Sequence, residues 1–396
     1  MRLSSLYNEE TFKIITNSFV LQKNQKLKHD FVQHSTNLDD FKCVINRSVR
    51  LDELKLRLMR EYPAFLYNGK LAIFDQKTYL VENCIAIPNH HSLYTQSFLE
   101  LPLRYSCYEH YMTAKTLWSG GHNSVSIGNK FINKTLNQNS DIFDIKGNSF
   151  LVRWHDDQDN YWHWTFDSYI NLLNLYLENI DLFKEIENIV FLSPKELSRF
   201  QVDYLTILKE LHPGINILHI KGPCKMQNCI LHQSTYPIIH HPEKVSKVRD
   251  LLYDKLKISQ KQPKLNLYIR RGETRNGRRL RNEYSLEQHL KKYSFKPINC
   301  GKLSLYDQIN VFSECRIAIG VHGSAFVNML FMQQGTSLIE IMSDSYDPIH
   351  DLILAENLKI NYNELFFKSE SLDFSSDLIF HDDDKPKIDH MLNRLL

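Results

Sequence analysis

Two Rossmann-like α/β halves facing a cleft, preceded by a mixed α+β region, are the fold this sequence predicts. Three observations point there. The chain has 396 residues, more than one ordinary core accommodates. From residue 149 onward, strand-like apolar runs alternate with segments of helical spacing. The alternation comes in two series, parted by a helix and the polar linker Gln260–Lys264.

The elements follow in order. Residues 1–148 read as mixed α+β, with a helical segment at Leu51–Tyr62 and short apolar runs at Lys70–Phe74 and Cys84–Pro88. Residues 149–255 form the first Rossmann-like half and, with 1–148, an N-terminal domain of 1–255. In it we expect a strand at Ser149–Trp154 and a helix over Trp162–Leu177, whose apolar spacing runs through Trp164, Tyr169, Leu172, Leu173 and Tyr176. A buried-type strand at Asn188–Leu192, a helix at Pro194–Leu211 with proline near its start, a strand at Ile215–Ile220 and a helix from Pro242 complete that half.

The C-terminal domain, 256–396, starts a second series. Its predicted strands are Leu265–Ile269, Arg316–Gly320 and Ser337–Ile341. Its predicted helices are Leu286–Tyr293, Leu305–Cys315, Ala325–Phe331 and a last one at Lys387–Leu396. Ligands of such open sheets sit at the carboxyl ends of the strands.

Composition removes several function classes. Net charge is +2, without the clustered basic excess of a nucleic-acid binder. No run approaches the roughly 18 apolar residues of a membrane span, and the N-terminus does not read as a signal peptide. A cytosolic location is therefore expected, and the sequon at Asn133 carries no weight. The cysteines offer no paired CxxC, so a zinc reading of Cys224 and Cys229 is weak.

Three segments carry chemistry. Ile317–Phe331 joins a buried strand through Gly320, His322, Gly323 and Ser324 to a helix. Glycine there lets a ligand approach the backbone, a helix N-terminus favours phosphate, and His322 adds a hydrogen bond or charge. The segment Tyr268–Glu283 runs from a strand into a loop with six arginines. Guanidinium forks match phosphate oxygens, with Arg270 or Arg271, and Arg279, the preferred clamps. In Asp159–Asp167, His163 and Asp167 lie four residues apart, one helical face, as a base and the carboxylate that orients it. The aromatic residues beside them, Tyr161, Trp162 and Trp164, suit the apolar face of a sugar ring. Asp157-Gln158-Asp159 has the DxD form of a cation site, Asp382–Asp384 reads as a solvated turn, and His90-His91 and His240-His241 lack metal partners.

Together these segments resemble the family 61 glycosyltransferases. The carriers are Asn160–Asp167, Arg279–Glu283, Gln308, Gly320–Phe331 and Gly335–Glu340, in the family's order over roughly the last 250 residues. Ser324 and Ala325 stand where the family pattern has Ala-Gly. The resemblance implies a GT-B architecture, an inverting reaction and no obligatory metal or other cofactor. It implies a nucleotide-sugar donor, a UDP-sugar by expectation, held by Arg270, Arg271, Arg279, His322, Gly323, Ser324, Asn328 and Glu340. His163 and Asp167 would be catalytic, with Asn160, Tyr161, Trp162 and Trp164 on the acceptor side. Asn282 and Glu283 are expected to cap the following helix, and the final helix to cross back onto the first domain.

The expected acceptor is a glycan hydroxyl, lipid-linked acceptors included, in surface or capsular polysaccharide synthesis, with peripheral contact at the inner face of a membrane allowed. Two rival readings stand beside this one. One is a metal-dependent GT-A-type transferase using Asp157 and Asp159. The other is a non-catalytic nucleotide- or glycan-binding protein of the same fold.

Overall fold

The structure, a computed structural model, describes residues 34–37, 66–67, 70–73, 78–86, 92–94, 100–102, 142–152, 160–193, 195–232, 242–272, 277–343, 346, 348, 350–371 and 376–396. Among them two compact units separate. Unit 1 takes those of 74–159 and 163–237, and unit 2 those of 34–73, 160–162 and 238–396. The division after 237 gives the helix Pro242–Lys255 to unit 2, where the sequence placed it ahead of a boundary at 255. Much of 1–148, with Asp157, Asp159, Asn133, His90, His91, His240 and His241, lies outside the described residues.

Strands β1 (His34–Asn37), β2 (Leu66–Tyr67) and β3 (Lys70–Ile73) make a small antiparallel sheet in the order β1-β3-β2. Unit 1 is built on seven further strands. These are β4 (Thr78–Ala86), β5 (Ser92–Tyr94), β6 (Glu100–Pro102), β7 (Phe143–Val152), β8 (Asn188–Leu192), β9 (Asn216–Ile220) and β10 (Cys224–His232). Their order is β6-β5-β4-β10-β7-β8-β9, parallel from β10 to β9 and antiparallel from β10 to β6. The β8 strand is buried at every position, as its unbroken apolar run requires of a strand covered on both faces.

Strand β10 was not foreseen, although Cys224-Lys225-Met226-Gln227 alternates buried with exposed as a half-buried strand should. A register shift between Met226 and Asn228 then breaks the period. Cys224 and Cys229 lie in the sheet core beside Cys84. Burial pushes the Cys224 thiol up to about 12, which opposes the thiolate a zinc site needs.

The expected helix at 162–177 spans Tyr161–Glu178 but is not uniform. Tyr161–His163 is α, Trp164–Tyr169 is π-helical, and Ile170–Glu178 is α again. The Ile170 amide reaches back five residues to the Thr165 carbonyl, one residue beyond the α pattern. The helix Arg199–Leu211 starts later than its proline suggested, because Ser198 and Gln201 form a capping box there.

Unit 2 carries a five-stranded, wholly parallel sheet in the order β12-β11-β13-β14-β15. The strands are β11 (Leu265–Ile269), β12 (Phe295–Ile298), β13 (Cys315–Val321), β14 (Ser337–Ser343) and β15 (Asn361–Phe367). Helices Glu283–Lys291, Leu305–Ser313 and His350–Leu358 connect them. This α/β architecture agrees with the predicted class. The terminal helix Lys385–Leu395, expected to cross back, packs within unit 2. Ile388 and Leu392 are fully buried with Leu286 and Leu290, and Asp389 accepts 2.7 Å bonds from His289 and Tyr293. Among the described residues, no helix is long and apolar enough to cross a membrane.

Candidate functional site

The carboxyl edge of the unit 2 sheet gathers most of the predicted residues. Gly320 lies near the end of β13 beside Ile269, and a side chain there would meet the Ile269 carbonyl at 2.8 Å. The glycine therefore serves close strand packing. His322 follows β13 directly, its amide bonded to the Ile341 carbonyl at 2.9 Å. The helix after it, Ser324–Phe331, is of the 3-10 type rather than α.

His322 is buried in a polar cluster. Its Nδ1 donates to Oε1 of Glu340, and Oδ2 of Asp351 lies 3.2 Å from the same nitrogen. The Tyr362 hydroxyl donates to the second Glu340 oxygen. Glu340, Asp351 and Tyr362 are 0%, 1% and 0% exposed. Burial holds the His322 imidazole below its ordinary value, against the pull of Glu340. Burial would raise Glu340, but His322, Asp351 and Tyr362 together outweigh it and keep it low. Asp351 is pushed well up, by burial first and by Glu340 second. Glu340 sits in mid-strand, opposite Gly320, with both oxygens taken up by neighbours. It faces those neighbours rather than a ligand hydroxyl, which corrects its predicted role.

The arginines sort themselves by environment. Arg270 forks onto Glu287 at 2.5 and 2.6 Å and stays substantially exposed, an ion pair rather than a clamp. Arg279 and Arg281 both pair with Asp377, binding the loop to segment 376–380. Asn282 does not cap the next helix; it exchanges bonds of 2.7 and 2.9 Å with the Phe380 backbone. Arg271 turns inward. Its Nη1 donates to the His322 carbonyl and its Nε to the Gly277 carbonyl at 3.2 Å. Burial, with Arg278 next, lowers it to about 9.

Gly323 is explained by the same arginine, since a side chain there would run into the Arg271 guanidinium. The space that the sequence reserved for a ligand holds Arg271. Arg278, which sequence reasoning passed over, lies over the Tyr346 ring at 4.6 Å. Its Nε and Nη1 are buried with no hydrogen-bond partner among the described residues. Among the described arginines of this loop it alone has a left-handed backbone, φ 56°.

The segment Asn160–Trp162 clusters with unit 2. Asn160 Oδ1 accepts the Trp162 amide at 2.9 Å, starting the helix. The Tyr161 hydroxyl donates to Asn328 at 3.1 Å, and Asn328 donates to Gln308 at 2.8 Å and to the Ala325 carbonyl at 3.0 Å. Asn328 is wholly buried and thus a latch between motifs, not the donor contact expected of it. The Trp162 and His350 rings meet at 5.2 Å, and His350 and Tyr346 each pack against His322. Trp164 is corrected too: 2% exposed and edge-on to Phe191, it is core and not a sugar platform.

His163 is half-buried at the last α residue before the π stretch. The side chain of Asp167 lies outside the described residues. His322, His350 and Asp351 bring one nitrogen or oxygen each within 4.8 Å of one another, a spacing a metal ion could bridge.

The family model described as Glycosyltransferase 61 matches residues 161–339. That span starts at the Tyr161 latch and takes in Arg271, Arg278, His322 and Gly323. Among curated proteins nothing matches the chain.

Proposed function

Over residues 161–339 this chain belongs to glycosyltransferase family 61, and we propose that it performs an inverting, metal-independent transfer from a UDP-sugar to a glycan hydroxyl. The observation that carries this reading is Arg278. A guanidinium with two buried nitrogens that find no partner among the described residues is costly unless an anion completes it. Arg271 supplies a second cation beside it. The first turn of the helix at Ser324 adds N–H groups that no helical carbonyl serves. Charge of this kind neutralises a leaving nucleoside diphosphate without a metal ion.

In the proposed reaction the acceptor oxygen attacks the anomeric carbon as the bond to the diphosphate breaks. The acceptor proton passes to His163, which Asp167 orients, and the configuration inverts in one displacement. The architecture we propose for the two units is GT-B, with the donor on unit 2 and the acceptor on unit 1. Surface polysaccharide synthesis at the cytoplasmic face of a membrane is the setting we propose.

A thermal-shift series with nucleoside diphosphates, with and without EDTA, tests the reading. A rise in melting temperature with UDP that survives EDTA is expected. The trio His322, His350 and Asp351 favours a second, cation-assisted version, which a shift abolished by EDTA would select. No shift with any nucleotide would remove the transferase assignment of this site.

A further inference from the structure

Arg270, Arg271 and Arg278 are held in three different ways. Arg270 is forked by the Glu287 carboxylate, which engages its charge and two of its N–H groups. Arg271 spends N–H groups on the carbonyls of His322 and Gly277. Arg278 is held by its face: its guanidinium carbon lies 4.6 Å from the centre of the Tyr346 ring. Among the described residues its Nε and Nη1 meet no acceptor, and its backbone stands in the left-handed region at φ 56°. A carboxylate partner satisfies a guanidinium but also uses it up, because charge and in-plane donors are both engaged. A ring face attracts the cation through its quadrupole and leaves those donors pointing outward in the guanidinium plane.

The ring is itself fixed. Tyr346 follows β14 in a tight return, its amide donating to the Ser343 carbonyl at 3.3 Å and the two residues forming an antiparallel bridge. It also packs against His322, with ring centres 5.4 Å apart and planes inclined by 65°. One aromatic side chain therefore touches two of the groups expected at the donor, Arg278 and His322. A free arginine side chain loses rotamer entropy when it binds an anion. One already laid on a rigid ring has lost it in advance.

We propose that Tyr346 is a positioning residue: its ring holds Arg278 by the face, so that the edges of the guanidinium stay available to the donor's diphosphate, a role that rests on the donor reading above. The ring, not the hydroxyl, carries it. Arg278 is thus readied without a carboxylate that the diphosphate would have to displace.

Two measurements test this. In the side-chain NMR spectrum of the full chain, the Arg278 Nε–Hε signal is identified by its loss in Arg278→Lys. It should carry the ring-current shift of a proton near an aromatic face, kept in Tyr346→Phe and lost in Tyr346→Leu. A signal that Tyr346→Leu leaves in place overturns the hold, whether or not a nucleotide binds. Calorimetric titration with UDP and with pyrophosphate reads the purpose. Tyr346→Leu should weaken both ligands about tenfold, within the range of a cation–π contact, and Tyr346→Phe should restore them. In an Arg278→Ala background Tyr346→Leu should add no further loss, a coupling that a merely structural tyrosine would not show. Equal losses from the Phe and Leu variants, or additive losses in the double variant, overturn the proposal. If Tyr346→Leu does not fold, Tyr346→Phe and Tyr346→Trp decide: both should bind UDP as the wild type does, and a loss in both overturns the role of the ring. Binding of neither ligand to the wild type would remove the donor reading, with the NMR shift still deciding whether the ring holds Arg278.

Discussion

The Tyr161 hydroxyl donates to the Asn328 side-chain oxygen at 3.1 Å, so residues 167 positions apart in sequence share one buried bond. Asn328 also serves Gln308 and Ala325, leaving its amide fully used. Tyr161→Phe strands that oxygen in a dry place and should cost about 1–3 kcal/mol. Chemical denaturation of Tyr161→Phe, Asn328→Ala and the double variant should show clear non-additivity. Additive losses would mean the bond contributes nothing of its own.

Gly323 leaves room for a guanidinium. Gly323→Ala places a methyl group against Arg271, which must move or push the turn aside. Overpacking of this kind costs about 1–3 kcal/mol. A lowered melting temperature with loss of the UDP-dependent shift is expected. An unchanged shift would separate Arg271 from nucleotide binding.

Two arginines of one loop should respond in opposite ways. Arg278→Ala removes a half-buried guanidinium whose Nε and Nη1 have no hydrogen-bond partner among the described residues, so stability holds or rises while UDP binding falls sharply. Arg270→Ala breaks a largely exposed pair with Glu287, worth about 0–1 kcal/mol, and leaves UDP binding intact. Titration calorimetry on both variants checks the contrast, and equal effects would contradict it.

Acid should weaken unit 2 through His322. Its folded value lies below the ordinary 6.5, so the unfolded chain takes up the proton first. The stability of the neutral buried ring is complete above 6.5 and is lost as pH falls through the folded value. Asp351 works with the opposite sign, its protonated form losing stability as pH rises through its raised value. The melting temperature should therefore fall on acidification below 6.5, with a smaller fall in His322→Gln. Parallel curves for the two proteins would refute the assignment.

The sequence revealed the strands of unit 2 whose apolar residues dominate the run, and it hid those where polar residues interrupt it. β11 matched residue for residue, and β13 and β14 extended by only a few, because parallel central strands bury both faces. β12 contains Pro297 and two exposed positions, the marks of an edge strand. β15 buries Asn363 and Glu364, polar residues that break its apolar run. The helix His350–Leu358 is buried almost all round, from Asp351 to Ala355, so it shows no apolar stripe. Asp351 and Tyr362 sit on those two hidden elements, which is why the cluster behind His322 was not legible. His322 and Gly323 were legible from the turn chemistry, and Arg271 stood as one of two alternatives with Arg270. Arg278 was not, since composition cannot rank six arginines in one loop.

The π stretch at Trp164–Tyr169 works as a phase shift. It holds one residue more than α geometry would place there, and each residue turns a helix by about 100°. Deleting Thr165 would restore a regular α-helix without touching any other side chain identity. It would also swing His163 by roughly a third of a turn against the buried face of Ile170–Glu178. The helix is thus indexed twice, once for its own core and once for His163 ahead of the bulge, and a length change of a single residue is enough to put the two out of step.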